Sequence, residues 1–433
     1  MPTAIFELND SGLCCATSPD NLIVSPGYAL LTDNGITTGQ AALEKAYLEP
    51  RQSFSQYWRQ LNLSPLPINS RVARHHADLA YAQLLQLYRD TGSPERVIFA
   101  APGNFDREQL AILLGLANAS PFEAAGLVDA SVAAASQTQT RGDSLHVDIQ
   151  LHQTVITRLQ ADQQISRTAV EILPELGIKC FYDAWAQLIA DQFIRQYRFD
   201  PLHTAAGEQQ LYNQLPGWLQ QMETQTEIGV ELDSPQGRYR INLSRTQLLD
   251  STVARSQQFQ RRLMELRKSN ETLLYSHRMA LLPGLVIEDA PTQVLSADSV
   301  IQGCLQNLEL ICGSGDLPFI TRLPLSKSPQ RDTTPGKSDP QAATTPSPGN
   351  TPSHVLYRHR AYAIHPGMGV AINGDTLLID CETDVTFRFT LEDGILALEG
   401  DRSQIQCYGD VNNLITGDSL LIGNQHLDLI EVD

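Results

Sequence analysis

The sequence predicts an α/β protein of two similar lobes, then a tether, then a small all-β domain. Three observations predict it. Between Ala4 and about residue 322, short apolar runs of strand length alternate with stretches of helical period, and the alternation repeats in two similar halves. From Ser326 to His354 the chain reads SKSPQRDTTPGKSDPQAATTPSPGNTPSH, too rich in proline, threonine, serine and glycine to bury a core. Beyond it, turn signals crowd a stretch with no helical period: Asn373-Gly374-Asp375, Glu392-Asp393-Gly394, Gly409-Asp410, Thr416-Gly417-Asp418 and Gly423-Asn424. That density marks a sandwich or barrel. The expected domains are therefore 1–322, a linker 323–355 and a β-domain 356–433.

Ala4 to Thr17 predicts two strands about a turn at Asn9 to Gly12, and YALLTDNG a third strand. Helices are expected from about Gly39 to Tyr47 and from about Ala73 to Thr91, the second carrying His75-His76 at its start or surface. Val97 to Ser136 is the best-formed stretch, a β-α-β-α unit. Val97 to Ala101 is a buried strand, and Asp106 with Gln109 makes a capping box for a helix to Asn118. A short strand follows near Gly126 to Val128. The run Ala130 to Ser136 opens a helix whose small residues let either a ligand or a neighbouring helix come close. Ser144 to Gln160 alternates like a hairpin, another strand pair runs to Ile172, and helices are expected at Tyr182 to Tyr197 and about Gly207 to Thr224. A hairpin from Glu227 to Leu243, turning at Ser234 to Gly237, precedes a charged helix from Arg245 to Asn270. A strand, a Pro-Gly loop and a helix with Gly303 at a close packing position complete the region.

Composition removes several function classes. The 433 residues carry a net charge of -18, which disfavours a nucleic-acid binder because neutralising phosphates needs a basic face. The local basic cluster Arg255, Arg261, Arg262, Arg267 and Lys268 fits a solvated helix face. No apolar run approaches the ~20 residues that span a bilayer, and MPTAIFELND lacks the regions of a signal peptide. The seven cysteines include no CxxC pair, so reduced thiols and a cytoplasmic location are expected.

Five strings then resemble the nucleotide-binding domain of DnaK-type heat-shock chaperones, within the actin, sugar-kinase and chaperone superfamily. SPGYALLTDNGITTGQAALEKAYLEPRQSFSQYW resembles a strand and turn leading to a G-x-x-A helix. VIFAAPGNFDREQLAILLGLANA resembles the strand, V-P-A-x-F motif and helix. GLVDASVAAAS resembles N-E-P-T-A-A-A, with Asp129 at the acidic position. HVDIQLHQT stands where the second phosphate loop D-L-G-G-G-T would be, and LLPGL with SADSVIQGCLQN resembles the end of the adenosine motif and its helix. The order of these strings is more specific than any one of them.

The resemblance implies ATP held between two lobes by two glycine-rich hairpins, with acidic side chains on magnesium and water. It places Glu7, Asp129 and Asp148 at the catalytic carboxylates and Asp148 at the metal. Asp10, Ser11, Gly12, Thr154, Pro283 and Gly284 fall at the nucleotide. The departures matter more. The expected D-x-G-T-T reads Glu7-Leu8-Asn9-Asp10-Ser11, and Gln150, Leu151 and His152 stand where glycines would admit phosphates. The lysine after a Phe-Ser pair is missing from Phe54-Ser55-Gln56-Tyr57-Trp58-Arg59 unless Arg59 substitutes. The adenosine loop Gly-Gly-Ser-x-Arg-x-Pro reads Ser276-His277-Arg278-Met279-Ala280-Leu281-Leu282-Pro283-Gly284, with only its Pro-Gly end clearly kept. The Glu-x-x-Lys helix has become Trp218-Leu219-Gln220-Gln221-Met222-Glu223. The remaining carboxylates, Glu7 or Asp10 with Asp129 and Asp148, suit either a cation or hydrogen bonds between the lobes.

The C-terminal region resembles a forkhead-associated (FHA) domain through LEDGILALEG and VNNLITGDSLLIGNQHLDLIEV. Such domains read phosphothreonine through an arginine and a Ser-x-x-His motif. No Ser-x-x-His exists here, which leaves Arg388, Arg402 and Ser403 as candidates. The sequence-based expectation is a degenerate ATPase acting as a scaffold or adaptor, with no cofactor, unidentified protein partners, no nucleic acid and no membrane insertion. The alternatives are a working ATPase or nucleotide-gated switch using ATP and magnesium, and a phosphothreonine-reading adaptor.

Overall fold

The computed structural model describes residues 3–138, 142–287, 290–312 and 317–325, and in the C-terminal region 352–357, 360–365, 367–373, 376–379, 381, 385–392, 395–400, 405–408, 414, 418–422 and 425–430. The chain is mixed α/β and divides into two compact units, Met1–Arg331 and Asp332–Asp433. Residues 326–351 of the expected tether lie outside the described residues.

Two six-stranded sheets organise the first unit. In the first, Thr3–Glu7, Leu13–Ala16 and Ile23–Ser25 form an antiparallel meander. Its opening strand then pairs in parallel with Arg96–Ala101, which pairs in parallel with Glu123–Asp129. The second sheet repeats the pattern. Gly142–Ile149, Gln153–Ala161 and Gln164–Pro174 make the meander, while Thr272–Tyr275 pairs in parallel with Gly142–Ile149 and then with Thr292–Val294. Each sheet takes one more strand from the last stretch of the unit: Phe319–Ile320 joins the first and Arg322–Pro324 the second. Parallel neighbours need long crossovers, and helices such as His76–Asp90, Arg107–Asn118 and Arg245–Leu266 supply them.

Side-chain alternation explains the layering. Along Thr3–Glu7, Ala4 and Phe6 enter one apolar cluster with Leu84 and Leu113, while Ile5 faces the other way into a second. That second cluster also takes Leu159, Ile165 and Leu274 from the other sheet, so it is the apolar layer between the two halves. The helices that follow Glu123–Asp129 and Thr292–Val294, namely Ala130–Ala135 and Ser299–Gln306, meet within it. There the Gly303 backbone lies so close that a Cβ would sit 2.0 Å from the Ala133 carbonyl oxygen. The small residues of the alanine-rich run therefore serve helix packing.

Three expectations are corrected. The helix expected to reach Tyr47 spans Gln40–Leu43 alone. Gln209, from the helix Ala205–Thr224, donates to the Leu43 carbonyl at 2.9 Å and accepts the Tyr47 N–H at 2.8 Å, so it has inserted into the i to i+4 bond that would continue the helix. The strand pair expected to Ile172 is a single long strand, Gln164–Pro174, because both its partners are the neighbouring meander strand and the late strand Arg322–Pro324. The charged helix ends at Leu266, where Arg267 turns extended.

The second unit has a five-stranded antiparallel sheet, from Arg360–Ala363 through His354–Tyr357, Gln425–Ile430 and Ser419–Ile422 to Ile405–Tyr408, and a four-stranded one of Thr376–Ile379, Gly369–Asn373, Phe387–Glu392 and Ile395–Gly400. One apolar cluster draws on both, with Val355, Leu420 and Leu427 from the first and Val370, Phe389 and Leu398 from the second.

Candidate functional site

The opening strand of each half brings a carboxylate to the junction between the sheets: Glu7 near the end of Thr3–Glu7 and Asp148 near the end of Gly142–Ile149. The turns after these strands touch. Asn9 folds into a local turn, its oxygen accepting the Ser11 N–H at 2.9 Å and hydroxyl at 2.7 Å. Its amide nitrogen then donates across the junction to Asp148 Oδ2 at 2.8 Å and to the Ile149 carbonyl at 3.0 Å. Asp10 accepts the Leu151 N–H at 2.7 Å. Gly27 holds this turn from behind, donating its N–H to the Asp10 carbonyl at 2.9 Å. Only glycine fits there, since a Cβ would lie 2.5 Å from that oxygen.

Arg278 completes the junction. It follows strand Thr272–Tyr275, is 7% exposed, and donates from Nη1 to Glu7 Oε1 at 2.7 Å and from Nη2 to the Gly12 carbonyl at 3.1 Å. Asp148 Oδ1 lies 3.8 Å from the same Nη1. One guanidinium is thus shared by a carboxylate from each half. Burial tends to discharge Arg278, but Glu7 and Asp148 outweigh it and raise its pKa. Desolvation pushes Glu7 up, against the pull of Arg278, and raises Asp10 to about 6. Burial also lowers His146, and lowers His277 to about 4.

The other expected site residues are placed as follows. Asp129 caps the alanine-rich helix, Oδ1 accepting the Ser131 and Val132 N–H groups and the Ser131 hydroxyl, while Oδ2 pairs with Arg167 at 2.7 Å. Both its oxygens are engaged away from Arg278. Gln150 and Leu151 are buried, and Leu151 packs with Tyr28, Leu30, Ala42 and Ala46. Thr154 donates its hydroxyl to the Leu176 carbonyl at 2.6 Å. Arg59 pairs with Glu175 at 3.2 Å. Pro283 and Gly284 form a turn in which Gly284 has φ of 81° and its carbonyl accepts from Gln260. Ser11 and Gly12 line a cavity of about 200 Å³ with Cys14, Tyr182, His277 and Leu282.

Ser55 Oγ lies 3.1 Å from His152 Nε2, the spacing of a nucleophile and its base. The same nitrogen lies 3.0 Å from the Ser55 carbonyl, which can only accept, so Nε2 carries the proton and has no lone pair for the hydroxyl. The pair is structural. Among the described residues, no group of three or more His, Cys, Asp or Glu side chains could hold a metal ion. Cys14, Cys15, Cys180, Cys304, Cys312 and Cys381 are free. No described helix is long and apolar enough to cross a membrane. Arg402 and Ser403 lie outside the described residues, and Arg388 donates to the Gly367 carbonyl at 2.8 Å.

Sequence reasoning missed Arg278, Asn9 and Arg167. For Arg278 a signal was present, the Ser-x-Arg spacing of Ser276-His277-Arg278. For Asn9 the sequence shows a turn residue in place of a glycine, but its partners lie 139 and 140 residues away. No family model matches the chain, and no curated protein matches it.

Proposed function

We propose that the chain is a degenerate, nucleotide-independent relative of the two-lobed chaperone ATPases, acting as a scaffold or adaptor for protein partners. The observation that carries this reading is the direct bonding of the two turns at the junction. In a working member each turn would present backbone N–H groups and open space to phosphates. Here Asp10 takes the Leu151 N–H, Asn9 spans to Asp148, and the Arg278 guanidinium sits between Glu7 and Asp148. In this reading a triphosphate with magnesium has no open pair of carboxylates to meet, because the chain's own cation lies between them. The repeated strand order of the two sheets supports the two-lobed reading, and the paired antiparallel sheets of the second unit support an FHA-like domain. The net charge of -18 supports protein rather than nucleic-acid partners.

The test is calorimetry of the full chain with Mg-ATP, together with a hydrolysis assay. The expected result is no heat of binding and no turnover above background. Micromolar binding, or turnover that Asp148→Asn abolishes, would overturn the proposal in favour of a working ATPase or nucleotide switch.

A further inference from the structure

Beside the Glu7–Arg278–Asp148 cluster lies a small cavity walled by Glu7, His146, Asp148, Ser276, His277 and Arg278. Its polar walls are incompletely bonded. Glu7 uses Oε1 on Arg278 and Asp148 uses Oδ2 on Asn9, which leaves Glu7 Oε2 and Asp148 Oδ1 buried without a hydrogen bond. Ser276 Oγ is a third such atom. Ser276 precedes the short helix His277–Ala280, where a serine commonly bonds a backbone N–H, yet its hydroxyl makes no such bond. Three residues from three separate segments, each with one oxygen that makes no hydrogen bond, thus line one small space. A buried polar atom left unpaired costs about 1–3 kcal/mol, so a single group that bonds all three removes several such costs at once.

We propose that this cavity is a binding site for one buried water molecule, which joins Glu7 of the first sheet to Asp148 and Ser276 of the second half. The space is about 10 Å³, close to the least that holds one water molecule. The hydrogen-bond count also closes. Water donates twice, to Glu7 Oε2 and Asp148 Oδ1, and accepts the Ser276 hydroxyl proton, giving the three bonds typical of a buried water. A bare cation satisfies the carboxylates but offers nothing to accept the serine proton, and it would lie beside the Arg278 guanidinium. The water is then a strut between the halves, made by atoms that the direct bonds of Asn9 and Arg278 leave over.

Crystals of the full chain grown in rubidium chloride, with atomic-resolution and anomalous data, test the occupant. The expected result is a single peak in the cavity within about 2.6–3.2 Å of all three oxygens and without anomalous signal. An empty cavity or an anomalous rubidium peak would overturn the proposal. A second measurement is the folding equilibrium of Ser276→Val in urea. Expelling a bound water leaves both carboxylate oxygens unpaired, so the folding constant falls about tenfold or more. In a dry cavity the added methyl groups fill empty space instead, and an unchanged or raised constant would count against the site.

Discussion

Asp10 shows what the junction asks of a single residue. Its carboxylate is buried and accepts the Leu151 N–H, yet desolvation outweighs that bond and raises its pKa to about 6. The unfolded chain releases the same proton near the ordinary aspartate value, about 3.9. The folded state therefore binds the proton more tightly, and this group's contribution to stability is full below about pH 4 and is lost as the pH rises through 6. The rise from the ordinary value to about 6 corresponds to about 3 kcal/mol. Asp10→Asn keeps an oxygen for the Leu151 N–H and removes the charge. The variant is expected to be more stable than the parent chain by about 1–3 kcal/mol near pH 7, with the difference closing towards pH 4. His277 titrates with the opposite sign: lowered to about 4 by burial, it supports folding above about pH 6.5, and that support is lost as the pH falls towards 4. Urea midpoints of the parent and the variant must therefore be compared at each pH, since only their difference isolates Asp10. A difference that stayed constant with pH would mean that the carboxyl is not desolvated.

At the scale of elements, one substitution carries opposite signs in two helices. Gly303 lies where a Cβ would fall 2.0 Å from the Ala133 carbonyl oxygen, and the backbone of the facing helix cannot swing aside like a flexible side chain. Gly115 lies on the exposed side of the helix Arg107–Asn118 with nothing within 4 Å of the same atom. Gly303→Ala is expected to destabilise by about 1–3 kcal/mol through overpacking, whereas Gly115→Ala stabilises by about 0.5–1 kcal/mol through helix propensity. Thermal unfolding of both variants distinguishes the two effects, and equal shifts would contradict the packing. Gly303 also shows what was legible. Its close approach could be read from a glycine in an apolar helix, and the Asp106–Gln109 capping box from spacing alone, because both signals are local. The shortened helix Gln40–Leu43 was not legible, since the residue that interrupts it, Gln209, is more than 160 positions away. The junction divides in the same way. Glu7 and Asp148 could be named from their strings, but Arg278 stands 271 residues from Glu7, and periodicity carries no information about such a pair.

The two halves of the first unit are held at more than their shared apolar layer, and two of the groups of polar contacts between them, beside pairs such as Asp129–Arg167 and Arg59–Glu175, are linked to each other. One is the junction of Asn9, Asp10, Leu151 and Arg278. The other is a clasp formed by Gln209 with Leu43 and Tyr47, where the Tyr47 ring stacks on Tyr212 at 4.0 Å between centroids and the Lys179 amine lies 5.9 and 5.8 Å from the two rings. Leu151 connects the groups, because its N–H belongs to the junction while its side chain packs with Ala42 and Ala46 beside the clasp. Gln209→Ala frees the Tyr47 N–H and leaves the Leu43 carbonyl with the Ala46 N–H alone, but Leu43 and Tyr47 are i and i+4 partners and can close the helical bond themselves. The global cost should then stay near the net value of a hydrogen bond or two, about 1–2 kcal/mol. The larger effect is expected at the junction: with the clasp gone, segment 40–47 no longer holds Leu151, and the Leu151 N–H is exposed to solvent more often. Hydrogen–deuterium exchange read on a peptide spanning residues 149–153 should therefore speed up in the variant by more than the global loss of stability allows. Exchange that accelerates only in step with global unfolding would mean that the clasp and the junction are independent.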